Sequence, residues 1–173
     1  MAGGVNLPLQ LSQKEKLLLQ DQQSQEEICI QKYSSYAQQA TDPKLKQLFN
    51  SYAQQEQTHY DTVSQILQGT VPSMQQGQQQ QGGQGMGGSM GMGTGMGMSQ
   101  SHFGLSQGGG DDQALCQDML MTEKHVSGAY DTAIFECQDT NVRQALNHIQ
   151  KEEQQHGEGV FNYMKEKGWY QPQ

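Results

Sequence analysis

Apolar residues along this chain recur at three- and four-residue steps, the period of a helix buried on one face. Over residues 11–40 the stripe runs Leu19, Gln23, Glu26, Ile30, Tyr33, Ala37 and Ala40. Thr41-Asp42-Pro43 breaks it, a capping residue followed by proline at a first helical position. A second helix then runs to about Leu67 with Leu45, Leu48, Phe49, Tyr52, Glu56, His59, Val63 and Ile66 inward, and Gly69 and Pro72 end it. A third starts near Asp111-Asp112, acids that favour a helix N-terminus, and turns Leu115, Met119, Glu123, Val126, Tyr130, Ile134 and Cys137 inward. After Asp139-Thr140-Asn141 the fourth carries Val142, Leu146, Ile149, Glu153, His156, Val160 and Met164, and Gly168 stops it. No stretch alternates as a half-buried strand does, so the reading is all-α.

The two helix pairs share one register. Residues 97 apart match without a gap: Asp21 with Asp118, Glu26 with Glu123, Tyr33 with Tyr130, Asp42 with Asp139, Glu56 with Glu153, His59 with His156, Val63 with Val160. This reads as an internal duplication of a helical hairpin. Residues 69–110 separate the copies and hold 15 of the 21 glycines, 6 of the 10 methionines and no charged residue. Such a segment buries too little apolar surface to offset its chain entropy, so it is expected to be a disordered Gly/Met/Gln crossover. The organisation is therefore an N-terminal tail (1–10), a first hairpin (11–68), the crossover (69–110) and a second hairpin (111–173), with both hairpins in one bundle. Two antiparallel hairpins joined by one long crossover make a four-helix bundle of the ferritin-like kind. A flexible chain of 42 residues has an rms span of roughly 35 Å. A helix of about 24 residues is as long, at ~1.5 Å per residue, so the crossover can return along the bundle.

Charge narrows the partners. The net charge is −8 and Arg143 is the one arginine, so the basic patch of a nucleic-acid binder is missing. No apolar run approaches the length of a membrane span, and the N-terminus lacks the charged start and apolar stretch of a signal peptide. Synthesis in the cytoplasm without membrane insertion is expected. Cys29, Cys116 and Cys137 form no CxxC pair, and their odd number argues against a closed disulfide framework. Cys137 lies on an inner face and Cys29 at the edge of one, so Cys29 is expected to alkylate faster.

Glu56-x-x-His59 and Glu153-x-x-His156 carry the chemistry. Each pair is three residues apart, on one face of its helix, and that face is otherwise apolar. Glu26 and Glu123 each precede their pair by 30 residues on the apolar face of their own helix, whereas Glu27 shares a polar face with Gln20, Ser24 and Gln31. With 10 glutamates and 5 histidines, about 0.3 Glu-x-x-His pairs arise by chance in such a search for ligand spacing. Two in register therefore point to a site. Four carboxylates and two imidazoles in one core match the dinuclear carboxylate bundles, which take one Glu from each of two helices and Glu-x-x-His from each of the others. Two iron or manganese ions suit this donor set, with no organic cofactor. A buried polar network without metal is the competing reading. Tyr33 and Tyr130 follow Glu26 and Glu123 by seven residues on the same face. They are candidates either to hydrogen-bond a ligand carboxylate or to serve as core tyrosines. His125 and His148 fall on polar faces, His102 lies in the crossover, and the run Met86, Met90, Met92, Met96, Met98 reads as linker or as a soft-metal site.

Met121-Thr122-Glu123-Lys124-His125, Ala129-Tyr130-Asp131-Thr132, Phe135-Glu136-Cys137, Arg143-Gln144-Ala145-Leu146 and the closing Lys167-Gly168-Trp169-Tyr170 give residues 111–172 a further identity. This half resembles the Coat F domain family of spore coat proteins, within the ferritin-like superfamily. The first half resembles it only as a more distant ferritin-like hairpin. The resemblance implies a structural role in the coat laid down around the forespore from the mother-cell cytoplasm, with other coat proteins and copies of itself as partners. It does not itself imply metal. Coats are cross-linked through Gln and Tyr, which suits a chain with 33 glutamines and 7 tyrosines. The ligand set in turn resembles rubrerythrin and manganese catalase, so the alternative is an oxidase, peroxidase or catalase-like enzyme. No substrate-specific motif supports a catalytic assignment.

Because the crossover supplies no core, shortening it within residues 73–108 while leaving enough chain to span the bundle should preserve helical circular dichroism and cooperative melting. Loss of both would refute a bundle formed within one chain.

Overall fold

Ser12 opens the first helix, α1 (Gln13–Gln39), with a capping box: its hydroxyl accepts from the Glu15 N–H, and the Glu15 carboxylate accepts from the Ser12 N–H at 2.7 Å. Asp42 caps α2 (Pro43–Leu67), whose first residue is the proline that breaks the sequence pattern. Asp111 caps α3 (Asp112–Glu136), and Asp139 caps α4 (Thr140–Glu166) by accepting from the N–H groups of Asn141 and Val142. Gly69 (φ 89°) and Gly168 (φ 74°) take the left-handed conformation just past α2 and α4. A side chain would be strained there, and at α4 the turn lets the Trp169 N–H reach the Met164 carbonyl at 2.9 Å. This computed structural model describes residues 9–72 and 111–170. The expectations for residues 1–8 of the N-terminal tail, for the crossover from residue 73 on, for His102 and for the methionine run lie outside the described residues.

The four helices form an all-α, ferritin-like bundle with no strand among the described residues. α1 packs on α2 and α3, and α4 packs on α3 and α2. Two apolar clusters fill the core. One takes Leu19, Val63, Ile66, Val126, Leu146 and Ile149, and the other Phe49, Leu45, Leu115, Met119, Val160 and Met164. Along α2, α3 and α4 the inward glutamates and histidines sit where one cluster gives way to the other.

The α1–α3 seam is held by polar bonds. Lys32 and Tyr36 both reach Asp118, at 2.7 and 2.8 Å. Tyr33 donates to Glu123, and Tyr130 donates to Glu26. The turns are joined in the same crosswise manner. Asp112 accepts from the N–H groups of Thr41 (2.8 Å) and Asp42 (3.0 Å) and from the Thr41 hydroxyl (2.9 Å), so the start of α3 ties down the α1–α2 turn. Glu15 accepts from the Gln138 N–H at 2.8 Å, so the start of α1 ties down the α3–α4 turn.

One expectation fails. Cys29 is fully buried, as are Cys116 and, to within 2%, Cys137, while Ile30 is only half-buried. The buried face of α1 runs 15, 19, 22, 26, 29, 33, 37, which selects Gln22 and Cys29 over Gln23 and Ile30. Burial raises the Cys29 thiol far above its ordinary value, so faster alkylation of Cys29 is not expected. Asp112 has the clearest energetic role in the turns. Asp112→Ala should lower stability by about 1–3 kcal/mol in chemical denaturation, the range for losing hydrogen bonds to a charged acceptor, and leave the helical content unchanged.

Candidate metal centre

Glu26, Glu56, His59, Glu123, Glu153 and His156 are all at most 2% exposed. α1 and α3 each contribute one glutamate, and α2 and α4 each contribute a Glu-x-x-His pair, so the bundle brings all six together. His59 Nδ1 lies 2.8 Å from Glu153 Oε1, 3.3 Å from Glu56 Oε2 and 3.7 Å from Glu26 Oε2. His156 Nδ1 lies 3.0 Å from Glu56 Oε1 and 3.8 Å from Glu123 Oε1. The two imidazoles stack with centroids 5.6 Å apart. Two overlapping sets result, Glu26–Glu56–His59–Glu153 and Glu56–Glu123–Glu153–His156, each with ligand atoms within 4.8 Å of one another. Glu56 and Glu153 belong to both.

The tyrosines bind crosswise between the hairpins. Tyr33 of α1 donates to Glu123 Oε1 and Tyr130 of α3 to Glu26 Oε1, which fixes each carboxylate and leaves its Oε2 without a partner. Both oxygens of Glu153 also lack a hydrogen bond, although Oε1 lies close to His59. Buried unpartnered carboxylate oxygens are costly. Four of them converging with two imidazoles fit a bound cation, so the cluster could hold metal.

The histidines' outer nitrogens point to residues that the sequence reading did not single out. His59 Nε2 lies 2.8 Å from Glu152 Oε2, and His156 Nε2 lies 2.9 Å from Gln55 Oε1. Each partner sits across the bundle on the other Glu-x-x-His helix. The readable signal was that Gln55 and Glu152 are themselves 97 apart, each one residue before a candidate ligand. Tyr52 was placed on the inner face of α2 and has a more specific role: its ring lies 4.3 Å from that of His156. That approach needs Gly159, where a Cβ would fall 1.8 Å from the Tyr52 hydroxyl. Glu27 and His125 are exposed. His148 is half-exposed, with Nε2 3.4 Å from Glu152 Oε1.

Electrostatics follow from burial. Desolvation pushes Glu123 up to about 10, helped by the charge of Glu153 beside it. Desolvation likewise raises Glu26 to about 8 and Glu153 to about 7, against the pull of His59. Burial acts on Glu56 in the same sense, but hydrogen bonds from His156 and His59 outweigh it and hold that carboxyl far below its ordinary range. Burial would lower His59, but Glu152 and Glu153, with Glu26 and Glu56, outweigh it and raise it well above its ordinary value. Without metal, one carboxylate is thus ionised between imidazoles while its neighbours tend to keep protons.

A cleft of about 830 Å³ opens between α3 and α4. Leu120, Phe161 and Tyr170 form apolar wall, Lys124, Gln150 and Glu158 lie among the polar lining, and Glu123 and Glu153 of the cluster also line it.

The fold and the site define a ferritin-like four-helix bundle with a buried glutamate–histidine cluster. Residues 111–173 match the model of the Coat F domain family. In fold the chain is similar to a crystal structure from Anabaena variabilis, of a two-domain protein containing DJ-1/ThiJ/PfpI-like and ferritin-like domains. The TM-score is 0.63 at 13% identity, over 92% of this chain. The chain spans 38% of that protein's length, and the likeness is one of fold. No curated protein sequence matches the chain.

The raised carboxyls give a signed pH dependence. In the native metal-free protein Glu26, Glu123 and Glu153 keep protons that the unfolded chain releases above its ordinary carboxyl value of 4.5, and His59 keeps its proton above 6.5. The native state binds more protons, so stability falls as pH rises. The melting temperature of metal-free protein should therefore drop between about pH 5 and 8. Glu123→Gln, which keeps the acceptor for Tyr33 and removes the ionisable group, should flatten that drop. A melting temperature that rises over this range would contradict the assignment.

Proposed function

We propose that this protein is a structural component of the bacterial spore coat whose bundle retains a dinuclear iron or manganese site. The Coat F match over residues 111–173 carries the coat role. The unpartnered oxygens of Glu26, Glu123 and Glu153 support the metal. Carboxylates with imidazole favour iron or manganese over softer ions. In this reading Glu26 and Glu123 would each help to hold one ion, Glu56 and Glu153 would contribute to both, and His59 and His156 would complete the two sets. Tyr33 and Tyr130 orient Glu123 and Glu26, while Glu152 and Gln55 fix the imidazole tautomers from outside. Bound ions of this kind supply one-electron chemistry toward oxygen species.

The partners are other coat proteins and further copies of this chain, met after synthesis in the mother-cell cytoplasm. The net charge of −8 weighs against nucleic acid as a partner. Among the described residues no helix is long and apolar enough to cross a membrane. A second reading, an oxidase, peroxidase or catalase-like enzyme, is favoured by one observation. The α3–α4 cleft borders Glu123 and Glu153 and brings small molecules to the edge of the buried cluster.

Protein reconstituted anaerobically with ferrous iron or manganese should bind about two ions per chain, the stoichiometry of such bundles. At a free ion concentration 100 times a site's Kd, each occupied site should add about 2.7 kcal/mol of stability. Replacing His59 and His156 together should abolish the gain with the helices intact, and replacing His125 and His148 should not. Binding of well under one ion leaves the coat reading alone. Fractionation of purified spores tests that reading: the protein should be recovered with the coat, and recovery only from vegetative cytoplasm would overturn it. Peroxide turnover by the loaded protein would move the second reading ahead.

A further inference from the structure

The two cation sets are built from matched residues, with one exception. Glu26 is matched by Glu123, Tyr130 by Tyr33, Glu56 by Glu153 and His59 by His156. The outer partners of the imidazoles break the match: His59 Nε2 faces the Glu152 carboxylate at 2.8 Å and His156 Nε2 faces the Gln55 amide oxygen at 2.9 Å. With Nδ1 given to a cation, each ring would carry its proton on Nε2 and donate it outward to these oxygens. A carboxylate acceptor makes that bond charge-assisted and roughly twice as strong as one to a neutral amide. It also makes the imidazole a better donor to an ion on its other nitrogen. Glu152 therefore adds a negative charge to the His59 side, and Gln55 adds none to the His156 side. His148 approaches the other Glu152 oxygen at 3.4 Å and leaves Oε2 to His59.

Access is unequal as well. Of the cluster, Glu123 and Glu153 line the cleft, and Glu26, Glu56, His59 and His156 do not. Glu153 is shared and Glu123 belongs to one set alone, so the cleft lies nearer that set.

We propose that the cluster is a pair of unequal sites for divalent first-row cations, an inference that rests on the metal-binding reading above. Glu26, Glu56, Glu153 and His59, backed by Glu152, take the first ion and retain it. Glu56, Glu123, Glu153 and His156, backed by Gln55 and bordered by the cleft at Glu123, take the second ion and exchange it. Glu152 and Gln55 act as positioning residues that set this order.

The test is a calorimetric titration of the full-length protein with Mn²⁺ alone, followed by electron paramagnetic resonance and timed removal with a chelator. Two steps are expected, the first at least about tenfold tighter, since outer partners of ligating histidines typically govern about 10–100-fold in affinity. His59→Ala should remove the tight step and His156→Ala the weak one. Glu152→Gln should weaken the tight step by about 10–100-fold and bring the two together. Gln55→Glu should tighten the weak step by a similar factor. The chelator should strip one ion fast and the other slowly. Two equal steps in the wild type overturn the inference and leave the metal reading standing, as does a Glu152→Gln variant that weakens the second step instead of the first. Failure of the wild type to bind Mn²⁺ overturns both.

Discussion

Four carboxylates share one water-poor layer of this bundle, and their mutual repulsion is the constraint on which the rest depends. Two unit charges 4 Å apart interact by about 4 kcal/mol at an effective dielectric of 20. Four ionised glutamates would therefore cost more than a domain of this size has in reserve. The structure meets the constraint in three ways. Two histidines stand among the carboxylates and hold Glu56 ionised between them. Two tyrosines donate to the outer pair, Glu123 and Glu26. Protons held well above the ordinary carboxyl range reduce the remaining charge. A bound cation would do the work of those protons without the penalty that rises with pH.

The same constraint explains why the hairpins grip one another crosswise. A tyrosine on its own helix seven residues from a glutamate cannot serve it, because both side chains point into the core about two turns apart. The Tyr33 hydroxyl reaches Glu123 on α3, and that of Tyr130 reaches Glu26 on α1, so each hairpin satisfies the other's carboxylate. The turns follow the same logic, with Asp112 holding Thr41 and Asp42 while Glu15 holds Gln138. Burial of charge and tertiary pairing are thus one arrangement. Removing a tyrosine strands a carboxylate and loosens the α1–α3 seam at once.

Much of this was legible from period alone. The choice of Glu26 over Glu27 needed only the polar neighbours of Glu27, and the structure buries the first and exposes the second. Cys29 shows where period blurs. A helix face is wide enough to admit either Cys29 or Ile30, and hydrophobicity favoured the isoleucine. The packing of α1 against α2 and α3 took the smaller side chain. Glu152 was not legible as the partner of His59 because the bond crosses from α4 to α2. Intrahelical spacing describes only what lies on one helix. Gly159 was equally silent, since its role is to leave room for Tyr52 of another helix.

The difference between the hairpins bears on what the bundle is for. Gln23 bridges α1 and α2 through Ser64 at 2.7 Å, and Ile30 and Tyr60 stand half-buried along that side. At the positions 97 residues on, α3 and α4 carry Leu120, Phe161, Ser127 and Gly157, and all four line the cleft. Replacing an isoleucine and a tyrosine by a serine and a glycine forgoes dispersion contacts that close packing would give. A bundle required only to cohere gains nothing from that loss beside its most charged layer. At Gly157 an added methyl would meet Glu123 Cβ and Leu120 at ordinary contact distances of 3.6 and 3.9 Å. Local crowding therefore does not demand glycine there. The opening lies on the hairpin that matches the Coat F domain, against the set whose imidazole is backed by an amide. The Coat F match and the cleft thus fall on the same pair of helices, with the α1–α2 hairpin closing the bundle from the other side.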